Sequence, residues 1–104
     1  MIQTAILDAT KKLSDKKGAF VEEVAQEAMK DPMLLNLVLE GIVSTNDAYR
    51  YNCFKVLSSI CEQKPDQLYP EWKRFEVLLG SENSYHRAIA VNMLAKLTRA
   101  DKEK

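Results

Sequence analysis

The chain has 104 residues, 46% of them apolar, which is enough for one small core. Its 15 basic and 15 acidic side chains cancel, which argues against gripping nucleic acid or an anionic membrane through bulk charge. One histidine and two cysteines leave almost no material for a metal cage, and three glycines and three prolines exclude a turn-rich β-sandwich or a low-complexity chain.

Helical periodicity begins at once. Ile2, Ala5, Ile6, Ala9 and Leu13 recur at spacings of three and four and make an apolar stripe on a first helix, with Gln3, Asp8, Lys11 and Lys12 on its polar side. Residues 1–13 lack the basic start and long apolar block of a secretory leader. Residues 14–18 break the pattern, and Phe20, Val21, Val24, Ala25 and Ala28 form a second stripe. Asp31-Pro32 reads as a helix start, with an N-cap carboxylate followed by a proline whose missing N–H costs nothing at the first position. The third helix (Met33, Leu34, Leu35, Leu37, Val38, Leu39, Ile42, Val43) is apolar on most sides, which predicts packing from more than one direction. Asn36, Glu40 and Gly41 interrupt it, and it is far too short to cross a bilayer.

Residues 44–47, Ser-Thr-Asn-Asp, supply turn and cap oxygens for a fourth helix whose stripe is Arg50, Cys53, Phe54, Leu57, Ile60 and Cys61. Lys64-Pro65 stops it. A fifth helix is predicted from near Pro70, because a residue before proline, here Tyr69, is pushed out of the α region. It carries Trp72, Phe75, Leu78 and Leu79. After a turn at residues 80–83, a sixth helix buries Ala90, Val91, Leu94 and Leu97 before fraying at residues 101–104. No stretch shows the alternation of a half-buried strand. The expectation is an all-α fold of six helices with short connections.

Self-comparison adds a repeat. A shift of 37 residues lays Ser44 on Ser81, Asn46 on Asn83, Arg50 on Arg87 and Leu57 on Leu94. Val38 then meets Phe75, Ile42 meets Leu79, Cys53 meets Ala90 and Ile60 meets Leu97, whereas the solvent positions vary. Two amphipathic helices match in apolar residues by chance easily enough. They do not readily share Ser-x-Asn-x-x-x-Arg across a turn.

Residues 34–61 (LLNLVLEGIVSTNDAYRYNCFKVLSSIC) and 71–98 (EWKRFEVLLGSENSYHRAIAVNMLAKLT) resemble HEAT repeats. Each has a helix of spaced aliphatics, a short turn and an arginine early in the second helix. A small residue, a leucine and an aliphatic then follow that arginine (Cys53, Leu57, Ile60; Ala90, Leu94, Leu97). The resemblance implies an α-α superhelix, a short solenoid of about three antiparallel helix pairs. The whole chain would form one domain, with units near 1–30 (a degenerate cap), 31–64 and 66–100. HEAT units often carry a turn aspartate that forms a ladder with the arginines; Ser44 and Ser81 stand there, so the ladder should be weaker. Arg50 and Arg87 lie against the positive end of a helix dipole and need acceptors. Turn carbonyls and serine hydroxyls of adjacent units are the expected ones, which makes Ser44, Asn46, Arg50, Ser81, Asn83 and Arg87 inter-repeat structural residues.

An active site is hard to assemble from these residues. His86 sits beside Arg87 with no partner nucleophile in sight, and a partly exposed packing role is expected of it. Gly18, Gly41 and Gly80 stand alone and form no phosphate loop. Some HEAT-like proteins are hydroxylases that bind iron through His-Glu pairs, and the chain contains no such pair. Cys53 and Cys61, if on one helix, lie about 12 Å apart along its axis, beyond disulfide reach, and read as reduced, packed thiols of a cytoplasmic protein. No enzyme activity, cofactor or metal is expected.

What remains is surface. In HEAT solenoids the second helices line the concave face. Projecting there would be Glu22, Glu23, Gln26 and Glu27, then Tyr51, Asn52, Lys55 and Ser59, then Ile89, Asn92, Lys96 and Arg99. That order runs from acidic to basic, with Tyr51 and Ile89 as apolar anchors for another protein or peptide. A non-enzymatic scaffold or adaptor is therefore the expected function. The competing reading is a nucleic-acid-associated module using Lys11, Lys12, Lys16 and Lys17, a basic patch without interleaved aromatics. Ile89, Met93 and Ala100 add apolar surface to the last helix, which predicts either a continuing chain or a homodimer through that helix.

Overall fold

A computed structural model describes the backbone of residues 2–102 and the side chains of residues 6–100. The side chains of Ile2, Gln3 and Ala5, and residues 103–104 of the expected frayed tail, lie outside the described residues. Six α-helices occur among the described residues, and no strand. They are α1 (Ile2–Leu13), α2 (Val21–Lys30), α3 (Pro32–Gly41), α4 (Asp47–Gln63), α5 (Trp72–Leu78) and α6 (Ser84–Lys102). None of them is long and apolar enough to cross a membrane. The chain divides into two compact units, Met1–Ser59 and Ile60–Lys104, with the boundary inside α4.

In the first unit, α1, α2 and α3 pack on one another. Their buried side chains are those of the stripes, among them Ala9, Leu13, Val24, Ala25, Ala28, Leu34, Val38, Leu39 and Ile42. The Asp31 carboxylate accepts the Met33 N–H at 3.0 Å, and Pro32 opens α3 as its fixed φ allows. α3 meets α4 at Gly41, where a β-carbon would stand 2.8 Å from Tyr49 Cε1 and closer still to the Cys53 sulfur. Only a glycine lets the two helices approach this far. Phe20, expected in the second stripe, is exposed because it precedes α2 and lies off its buried side. Met33 and Val43, at the two ends of the apolar third helix, are exposed as well.

In the second unit, two single 3-10 turns, Pro65–Gln67 and Tyr69–Glu71, precede α5, so the helical path starts near Pro70 as expected and becomes α-helical at Trp72. Phe75 and Leu68 are fully buried, whereas Trp72 and Leu79 are exposed. The buried line of α6 runs through His86, Ile89, Ala90, Met93 and Leu97. Val91, expected in the core, lies off that line and is 56% exposed. The same phase overturns two other expectations. Ile89, expected to project outward, is only 8% exposed, and Met93 is fully buried, so neither adds apolar surface for a homodimer. α6 also continues through Asp101 and Lys102, where fraying was expected.

Candidate functional site

The two Ser-x-Asn-x-x-x-Arg segments fold into the same turn. In the first, the Ser44 hydroxyl accepts the Asn46 N–H at 3.1 Å, and Asn46 Oδ1 accepts the Tyr49 N–H at 3.0 Å. In the second, the Ser81 hydroxyl accepts the Asn83 N–H at 3.1 Å, and Asn83 Oδ1 accepts the His86 N–H at 3.2 Å. Each asparagine thereby caps the helix that follows. The arginines then reach back: Arg50 Nη1 donates to the Ser44 carbonyl at 3.1 Å, and Arg87 Nη1 to the Ser81 carbonyl at 2.7 Å. These guanidinium bonds close each arginine's own turn rather than crossing to another helix pair, and the acceptor is the serine carbonyl, not its hydroxyl. Arg50 also donates to the Asp47 carboxylate at 2.6 Å and is buried, while Arg87 is exposed.

The expected contact residues divide between the units. Glu22, Glu23, Glu27, Tyr51, Asn52 and Lys55 fall in the first, and Ile89, Asn92 and Lys96 in the second. The acidic cluster on α2 is engaged within its own unit. Lys12 forms ion pairs with Asp8 at 3.0 Å, with Glu23 and with Glu27 at 3.6 Å, and its charged form is held by the Glu23 and Asp8 carboxylates. Glu22 accepts from the Ser59 hydroxyl at 2.9 Å and from Gln26 Nε2 at 3.1 Å. Lys12 is thus removed from the basic patch, leaving Lys11, Lys16 and Lys17 exposed.

Asn52 does not project outward. It is 3% exposed, and its Nδ2 donates to the carbonyls of Leu13 and Asp15, both at 2.7 Å. These carbonyls lie at and just past the C-terminal end of α1, where carbonyls have no intrahelical donor. Sequence reasoning missed this role because Asn52 lies one position from the apolar stripe of α4, and nothing in its spacing marks the turn it reaches. Beside it, Tyr51 is 57% exposed. The Lys55 ammonium sits 4.7 Å from the Tyr51 ring centroid, and the Phe54 ring lies 6.4 Å away, tilted by 32°.

In the second unit, Asn92 is exposed and donates back to the Ala88 carbonyl at 2.8 Å, and Lys96 is half-buried. Burial raises the Cys61 thiol pKa, opposed by the charges of Lys96 and Arg99. Burial also pushes the Cys53 thiol up to about 12, against a smaller opposing hydrogen bond from Tyr49. Both cysteines are therefore neutral, packed thiols. His86, expected to be partly exposed, is buried. An open groove of about 460 Å³ is lined by Tyr69, Trp72, Leu97 and Thr98. Among the described residues, no group of three or more His, Cys, Asp or Glu side chains is placed to hold a metal ion. No family model matches the chain, and no curated protein or solved structure matches it either.

Proposed function

We propose that the chain is a non-enzymatic protein-interaction module of the helical-repeat kind, built of HEAT-like helix pairs and acting as a cytoplasmic scaffold or adaptor. The observation that carries this reading is the repeated turn, in which Ser, Asn and Arg at a fixed spacing make the same hydrogen bonds twice. Such units cannot bury their own faces alone, and stacked copies present helix surfaces suited to a partner rather than to a substrate. Tyr51 fits that use, being a large exposed ring steadied by Lys55. Burial of both thiols and of His86 weighs against chemistry on those groups.

The nucleic-acid reading loses ground at Lys12, whose charge is committed to three carboxylates. Affinity capture from native lysate, with and without nuclease, tests the choice. The module reading expects a protein at stoichiometric yield regardless of nuclease. Nucleic acid that salt strips away would favour Lys11 to Lys17 instead.

A further inference from the structure

Two features that stand apart in the sequence meet in the first unit: the basic turn after α1, and the aromatic–cationic pair on α4. The meeting point is Gly18. A β-carbon there would stand 3.3 Å from the Lys55 ammonium and 3.1 Å from Asn52 Oδ1. Asn52 holds the turn against α4 through the Leu13 and Asp15 carbonyls, and Asp15 Oδ2 accepts the Ala19 N–H at 3.0 Å, so the turn is braced at both ends. Lys16 and Lys17 are exposed on it and carry no ion pair among the described residues. Lys55 is half-buried, with its ammonium over the exposed Tyr51 ring.

We propose that Lys16, Lys17, Lys55 and Tyr51 form one docking patch for an acidic linear segment of a partner protein, with carboxylates on the lysines and an apolar side chain against Tyr51. The inference rests on the interaction-module reading and names the partner chemistry for it. Charge complementarity selects the occupant. Two exposed lysines on the turn, beside a third cation over the Tyr51 ring, suit a short acidic peptide. A nucleic-acid strand would need a longer basic track, and here the track ends at Glu22, whose carboxylate is fixed by Ser59 on the same helix as Tyr51 and Lys55. An occupant lying along α4 must therefore place its acidic end toward the Lys16–Lys17 turn and away from Glu22.

Fluorescence anisotropy with a labelled oligoglutamate carrying a central leucine pair tests this at low ionic strength, beside a single-stranded oligonucleotide of equal length. The patch predicts peptide binding that weakens about tenfold or more in the Lys16→Glu/Lys17→Glu double variant and falls clearly in Tyr51→Ala. Lys73→Glu, an exposed lysine of the other unit, should leave it unchanged. Unaltered circular dichroism and Tm would show that the turn variants still fold. Peptide binding insensitive to both patch variants, absence of peptide binding, or tighter binding of the oligonucleotide would each overturn the inference. A lysate partner that is still captured by the Lys16→Glu/Lys17→Glu variant would leave the module reading standing while this patch fails. Capture of no protein at all would sink both.

Discussion

The Asn52 side-chain amide donates to the Leu13 carbonyl at 2.7 Å, joining residues 39 apart in the chain. The same nitrogen reaches the Asp15 carbonyl at 2.7 Å, so one buried side chain completes the end of α1 and sets the path of the turn that follows. Truncating Asn52 to alanine would leave a buried acceptor without its donor. A loss of about 2–3 kcal/mol is expected from urea denaturation. A change below about 0.5 kcal/mol would mean that water replaces the amide at no cost.

Gly18 has φ +66°, and a β-carbon there would crowd Asn52 Oδ1 at 3.1 Å. Gly18→Ala therefore meets both the left-handed backbone penalty and the Asn52 clamp, and should cost roughly 1–2 kcal/mol. Gly18→Asn meets a smaller backbone penalty but, being larger, more crowding. Thermal melts of the two variants show which contribution is the greater.

The two arginines make the same turn bond from different surroundings. Arg50 is 5% exposed and also bonds Asp47, whereas Arg87 is exposed. Arg50→Ala should cost about 2 kcal/mol, because a buried side chain is lost and the part-buried Ser44 carbonyl loses its donor. Arg87→Ala should cost less than about 1 kcal/mol, since water can take its place. Equal losses would imply that the repeated sequence, and not the burial, sets the energy.

Burial pushes the Cys53 thiol from 9.0 to about 12, favouring its neutral form in the folded chain. The unfolded chain loses this proton first as pH rises. The contribution is therefore fully present below pH 9 and is lost between pH 9 and 12, by up to about 1.4 kcal/mol per pH unit. Stability measured against pH for the native chain and for Cys53→Ala isolates it: the native curve should fall more steeply above pH 9. In parallel, a thiol reagent should label Cys53 only in denaturant.

The helix boundaries were readable because Asp31-Pro32, Asn46, Lys64-Pro65 and Asn83 are local signals, acting over a few residues. The turn motif was equally readable, because Ser, Asn and Arg bond within six positions of one another. Helix phase was harder. On α6, Val91 and Met93 are both apolar and two positions apart, and the sequence contains nothing to say which of them faces inward; the structure buries Met93 and exposes Val91. The same ambiguity put Asn52 and Ile89 on the outer face. Long-range polar contacts were not readable at all, since Asn52 to Leu13 and Glu22 to Ser59 depend on which helices become neighbours.

The central claim is that the chain works by binding another protein. Light scattering on material captured from native lysate, before and after nuclease and at low and moderate salt, addresses it most directly. The account predicts a complex of defined stoichiometry whose mass nuclease does not change and which Tyr51→Ala weakens. A chain that scatters as free protein after nuclease treatment, having carried only nucleic acid before it, would contradict the claim.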